Sequence, residues 1–228
     1  MGLPISVDIP EAGKRDVFDK VFDRFRAIDE RFSPYKPNSE VSKFRAGRTS
    51  ENKLSTELKK IIKGCRTAER QTGGYFSAWA DGEFDPSGYV KGWAIAEAGK
   101  IIEKSGYKTF CISAGGDIFA SSNTDKVWNI GIQDPQNRQK ILNKLSIKNG
   151  AVATSGNYER RAHIINPLTK KPAEELLSVT IIGKDIITAD ILATACFAMG
   201  NAAAEFMMNQ TGYEALIIPN RRSRGNNL

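Results

Sequence analysis

The stretch IITADILATACFAMG, residues 186–200, reads as a buried helix that carries a carboxylate, Asp190, and a hydroxyl, Thr194, four positions apart. A helix that is apolar nearly all round belongs in an interior, so other elements must cover it on several sides. Those elements are legible on both flanks. From 107 to 182 the chain runs through short alternating or β-branched segments, YKTFCISAGG, VWNIGIQD, GAVATSG, RAHIINP and LLSVTIIG, separated by Gly, Pro and Asn. Downstream, the helix continues toward NAAAEFMMNQTG and hands over to a last strand, YEALIIP. Strands clustered together, with helices before and after them, predict an α+β fold rather than a regular β–α alternation.

The first part of the chain is helical. Val17, Phe18, Val21, Phe22, Phe25, Ile28 and Phe32 recur at helical spacing over 15–32, which makes an amphipathic helix with one face for a sheet. FSPYKPNSEVSKF follows as an ordered loop, because Pro34 and Pro37 forbid regular helix there, and Ser39 is placed to cap a short one. A second amphipathic helix spans 55–70 and stops at Gly73 and Gly74. In DPSGYVKGWAIAEAGKII a third helix starts near Gly88. No internal repeat or low-complexity linker interrupts the pattern. Residues 1–220 are therefore read as one compact domain, with two interleaved subdomains as the alternative, and the basic end, 221–228, as a disordered tail.

Composition narrows the function classes. Of 228 residues, 40% are hydrophobic and 26% charged, which is ordinary for a globular protein. No apolar run approaches the roughly 20 residues that would span a membrane. The start, MGLPISVDIP, lacks a basic stretch followed by an apolar core, so the chain as given is expected in the cytoplasm. The alternative is a membrane-anchored extracytoplasmic protein whose leader has been removed. Cys65, Cys111 and Cys196 are far apart and there is one histidine, His163, so no zinc set can be assembled and free buried thiols are expected. The net charge of +7 is scattered and partly in the tail. Without aromatic–basic interleaving it argues against nucleic acid and leaves at most an attraction for phosphate-bearing ligands.

Four places can carry chemistry. Asp190 and Thr194 lie one above the other on their helix and can converge on a hard cation such as Mg²⁺ or Ca²⁺. On spacing alone, Asp190 can equally serve the first helical turn and Thr194 can bond back to a carbonyl. DPSGYVKGW sets Lys91 at a helix start, where free amide donors and the dipole welcome an anion, although the Walker spacing is missing and a plain surface turn fits as well. SAGGDIFA ends a strand in a glycine pair where backbone can approach a ligand, with Asp117 either free for that ligand or capping its own turn. His163 has a pKa suited to moving a proton, or is structural. TSGN is not the G-x-S-x-G elbow, which argues against a Ser-His-Asp hydrolase.

Taken together and in colinear order, FSPYKPNSEVSKF, TGGYF, DPSGYVKGWAIAEA, SAGGD, VWNIGIQDP, AVATSGNYERRAHIINPLTKKP, SVTIIG and TADILATACFAMG resemble the FAD:protein FMN transferases, the ApbE-type flavin transferases. The resemblance covers nearly the whole chain. It implies mixed, largely antiparallel sheets with flanking helices, and Mg²⁺-dependent attack by a Thr or Ser hydroxyl of an acceptor protein on the FMN-side phosphorus of FAD, releasing AMP. It implies Asp190, Thr194 and a backbone carbonyl near Gly88 as metal ligands, and His163 and Lys91 as catalytic residues. Asp85 and Lys91 match residues that contact FAD, and Tyr35 matches an aromatic against the cofactor. Met1, Tyr75, Phe76, Ser77, Gly115, Gly116, Asp117, Thr154, Ser155, Gly156, His163 and Ile164 complete the implied cofactor site, with 115–117 and 154–156 as turns.

Two departures stand out. Ser77 replaces a usual carboxylate, and Ser113 a common Asn. The same site can also serve an FAD pyrophosphatase that yields FMN and AMP, or a non-catalytic flavin-binding protein.

Overall fold

Alternation in the strands and apolar stripes on the helices build one layered arrangement in the computed structural model, which describes residues 2–12, 15–156 and 164–220. Met1, His163 and the tail 221–228 lie outside the described residues. The chain opens with β1 (Ile5–Asp8), α1 (Asp16–Phe32), α2 (Glu40–Arg45), α3 (Thr56–Gln71) and α4 (Ser87–Lys104). Strands follow as β2 (Phe110–Ala114), β3 (Asp117–Ser121), β4 (Trp128–Asp134), β5 (Asn137–Ile147), β6 (Gly150–Gly156), β7 (Ile165–Asn166), β8 (Lys171–Pro172) and β9 (Leu176–Gly183). The chain then forms α5 (Ile186–Met199), α6 (Ala203–Met207) and β10 (Tyr213–Pro219).

One six-stranded sheet runs in the order β1-β2-β3-β6-β9-β10, beside the ribbons β4-β5 and β7-β8. Among the described residues every strand pairing is antiparallel. The α+β expectation with largely antiparallel sheets holds. Register sets Ile112 opposite Phe119, Phe119 opposite Ala151, and Ala153 opposite Ile181. Because side chains alternate across a strand, this gives the sheet one continuous apolar face, and α4 and α5 lie on it.

Local signals explain the helices. Val17, Val21, Phe25, Ile28 and Phe32 of α1 are all buried, and α1 packs on α4. Ser39 caps α2 by accepting from the Ser42 N–H at 2.9 Å, and Ser55 caps α3 by accepting from the Leu58 N–H at 3.2 Å. Gly73 and Gly74 take φ of +60° and +87° where α3 ends, a conformation that favours glycine.

Two sequence expectations need correction. The strand β5 is absent from the sequence reading because Lys140 and Lys144 mask any apolar alternation, and its pairing with Trp128, Ile130 and Ile132 of β4 makes it a strand. The apolar run is also longer than expected. Ile186–Met207 is helical over 22 residues, enough in length and composition to cross a membrane. As the sequence leads one to expect, the helix carries on past Gly200, through a 3-10 turn into α6. It is a core helix, with 72% of its most apolar window buried inside the protein.

A half-buried ion network ties α1 to α3 and α4. Arg24 reaches Glu57 at 2.5 Å and Glu97 at 3.3 Å, and Arg31 pairs with Glu57 as well. Burial pushes the Glu57 carboxyl up, but hydrogen bonds from the Arg24 and Arg31 guanidiniums outweigh it and hold the carboxyl below its usual range. A depressed carboxylate stabilises the fold above its unfolded value, and that stability is lost as pH falls through the native one. Denaturant titrations of Glu57→Gln are therefore expected to show a deficit against the parent at pH 7 that closes in acid. A deficit independent of pH would contradict this account.

Candidate active site

The N-cap of α5 is Asp185, which accepts from the Thr188 N–H at 2.8 Å and the Thr188 hydroxyl at 2.7 Å. Asp190 is thereby spared the capping role left open by its spacing. It sits one turn further along, 1% exposed, facing the start of α4. Gly92 makes that approach possible. A Cβ there would lie 3.0 Å from the Ile186 carbonyl oxygen and 3.2 Å from the Asp190 Cβ. With no side chain in the way, the Gly92 N–H donates to Asp190 Oδ2 at 2.9 Å.

Lys91 lies between two carboxylates. Its Nζ is 3.2 Å from Asp190 Oδ1 and 2.7 Å from Asp117 Oδ2. Asp117 opens β3 directly after the tight turn of Gly115 and Gly116, whose φ values are +59° and +88°. Its Oδ1 accepts from the Thr154 N–H on β6 at 3.1 Å. Asp117 therefore neither caps its own turn nor stands free for a ligand; it anchors Lys91. One turn beyond Asp190 on α5, the Thr194 hydroxyl lies 3.3 Å from the Ser155 hydroxyl.

These contacts set the charges. Burial alone would lower the Lys91 pKa, yet the charges of Asp190 and Asp117 reverse this and hold it above its ordinary range. Burial raises Asp190, Lys91 opposes it, Asp117 reinforces it, and the carboxyl ends at about 7. Asp117 is also raised, by burial against the pull of Lys91. One ammonium thus serves two buried acids.

The other expected site residues are distributed around this centre. Asp85 accepts from the Ser87 N–H at 2.9 Å and so shapes the entry to α4. Gly88 is in the first turn of that helix, and a Cβ on it would lie 3.3 Å from the Phe76 ring. Ser77 accepts from the Trp79 N–H at 3.1 Å. Tyr35 projects from its turn, 76% exposed. Tyr75 lines a shallow depression with Gly73, Met199 and Phe206. Met199 is nine residues beyond Asp190 on α5, about 13 Å along the helix axis, so this depression is apart from the acid pair.

One expectation changes, and two residues are more enclosed than expected. Phe76 and Ile164 are buried, 3% and 8% exposed, and the Ile164 carbonyl accepts from the Ala173 N–H. Thr154, Ser155 and Gly156 are not a turn. They are the end of β6, paired with Thr180, Val179 and Ser178 of β9. Met1 and His163, being outside the described residues, are not placed.

The sequence reading missed Gly92 and the Ser155–Thr194 pair. Gly92 did carry a signal, because a glycine inside a helical pattern costs about 1 kcal/mol against alanine and calls for a packing reason. Ser155 and Thr194 are 39 residues apart and nothing local joins them.

The model of the ApbE family matches residues 1–81 and 78–217, nearly the whole chain. The chain belongs to the ApbE family. Among curated relatives it is similar to the FAD:protein FMN transferase of Vibrio cholerae, with 34% identity over 129 residues, which cover 51% of this chain and 38% of the relative. The FAD:protein FMN transferase of Treponema pallidum is 31% identical over 169 residues, covering 64% of this chain and 47% of that protein. The matches thus span less than half the length of these two relatives. The fold is shared more widely than the identity suggests. The crystal structure of the ApbE protein from Thermotoga maritima superposes with a TM-score of 0.81 at 24% identity, over 95% of this chain and 90% of the other. The flavin transferase ApbE from Vibrio cholerae gives 0.81 at 20% identity, over 96% and 94%.

Proposed function

We propose that this ApbE-family chain is an FAD:protein FMN transferase, moving FMN from FAD to a Thr or Ser hydroxyl of an acceptor protein and releasing AMP. The observation that carries the proposal is the meeting of Asp190 and Lys91 where α4 abuts α5, with Thr194 one turn beyond Asp190 on α5 and its hydroxyl beside that of Ser155. The donors at this meeting point, carboxylate and hydroxyl oxygens, suit Mg²⁺. No group of three or more His, Cys, Asp or Glu that could hold a metal occurs among the described residues. Mg²⁺ fits such a sparse set, because it is usually held by one or two carboxylates together with water and substrate phosphates.

Asp190 and Thr194 would hold the ion, with a carbonyl near Gly88 as a further ligand. When bound, Mg²⁺ supplies positive charge for the diphosphate and for the AMP oxygen as its bond to phosphorus breaks. Lys91 binds the same diphosphate through a charge-assisted contact. Asp117 holds Lys91 in place from β3. The acceptor hydroxyl attacks the FMN-side phosphorus and gives its proton to a base, the role assigned to His163. The phosphorus–oxygen bond to AMP breaks, and FMN remains on the acceptor as a phosphoester.

Incubation with FAD, Mg²⁺ and a threonine-bearing acceptor peptide, followed by mass spectrometry, tests this reading. A flavinylated peptide and an equal amount of AMP are expected. AMP and free FMN with an unmodified peptide would make the chain a pyrophosphatase. Bound flavin without AMP would make it a binding protein.

A further inference from the structure

Asp190 has two carboxylate oxygens, and they are not equivalent. Oδ2 is taken by the Gly92 N–H at 2.9 Å, a contact built into the α4–α5 crossing. Oδ1 is the oxygen left for a cation, and the Lys91 ammonium is 3.2 Å from it. The same ammonium holds Asp117 more closely, at 2.7 Å. The side chains of Asp117 and Asp190 are 0% and 2% exposed, whereas Lys91 keeps 23% of its surface in solvent. Two buried carboxylates with no cation between them would be strongly destabilising. In this structure the cation at Oδ1 is the Lys91 ammonium.

We propose that Lys91 is the chain's own stand-in for the divalent cation. Without metal its single positive charge is shared between Asp190 and Asp117. When a divalent ion reaches Asp190 Oδ1, like charges on one oxygen repel, and Lys91 gives up that contact while Asp117 retains it. The flexible lysine stem allows this exchange without backbone movement. Its freed donors are then available to the diphosphate, so metal entry and substrate capture are coupled through one side chain. The inference rests on Asp190 being a metal ligand.

The test uses Mn²⁺ alone, without FAD, titrated into the full chain and followed by electron paramagnetic resonance. Lys91→Met removes the competitor and is expected to bind Mn²⁺ about tenfold tighter or more than the parent, the equivalent of one charge-assisted contact. If Lys91→Met folds only when purified with Mn²⁺, chelation should unfold it while the parent stays folded, which supports the same conclusion. In the parent, acylation of Lys91 followed by mass spectrometry should be slow in chelator and faster once Mn²⁺ is added. Equal or weaker Mn²⁺ affinity in a folded Lys91→Met overturns the stand-in role, and leaves the metal site intact if Asp190→Asn abolishes Mn²⁺ binding. No Mn²⁺ binding by any chain that retains Asp190 overturns the metal site itself.

Discussion

Asp190→Asn is expected to leave the protein folded and to lower flavin transfer at saturating Mg²⁺ by about a hundredfold or more, the scale on which a single preorganised electrostatic contact acts. The two halves of this expectation have separate causes. The carboxamide oxygen introduced by the substitution can still accept from the Gly92 N–H, and Lys91 still has Asp117 at 2.7 Å, so no buried charge is left alone. Removing one of two acids that share one ammonium also removes the carboxyl that burial drives to about 7. The melting temperature should therefore hold or rise. What disappears is the anionic oxygen at the place where a cation must sit. Measuring AMP release and thermal unfolding on the same preparation separates the effects. Parental activity at equal Mg²⁺ would remove Asp190 from the site, and collapse of the fold would show that the carboxylate is structural.

The second large effect is expected at Gly92, which has no side chain of its own but whose N–H holds Asp190 Oδ2. Gly92→Ala introduces a Cβ 3.0 Å from the Ile186 carbonyl oxygen, 3.1 Å from the Ile187 Cα and 3.2 Å from the Asp190 Cβ. Two of these neighbours are backbone, which cannot rotate aside. The crossing of α4 and α5 must open by some tenths of an ångström, at a cost of about 1–3 kcal/mol typical of overpacking. The same opening lengthens the Gly92–Asp190 hydrogen bond and moves Lys91 relative to both acids, so activity should fall with stability. Urea unfolding and AMP release measure the two. A variant within about 0.5 kcal/mol of the parent, the range of a neutral surface change, would show that the crossing has slack and that Gly92 does not position Asp190.

How much of this was legible in the chain depended on distance along it. The α5 pair needed only helical geometry, because Asp190 and Thr194 share a face whatever surrounds them. The cap at Ser39 and the stop at Gly73 were equally local. The meeting of Lys91 with Asp117 and Asp190 was not, since it depends on α4 and α5 lying on the same face of a sheet whose register no local pattern states. At 154–156 the resemblance implied a turn, whereas the pattern that put GAVATSG among the strands held, and pairing with β9 keeps it strand. Charge misled at 137–147, where lysines hid a strand whose partner supplies the apolar side chains. Phe76 and Ile164 read as cofactor contacts by resemblance, and their burial was not legible from the local pattern.

The central claim is that a divalent cation and the diphosphate of FAD meet at Asp190 and Thr194. Anomalous diffraction from crystals grown with FAD and Mn²⁺ addresses it directly. The account predicts one Mn²⁺ peak about 2.1 Å from Asp190 Oδ1 and from the Thr194 hydroxyl oxygen, with phosphate oxygens on its open side and Lys91 drawn off Asp190. A peak elsewhere, or bound FAD with Lys91 still seated on Asp190 Oδ1 and no metal beside it, would contradict it.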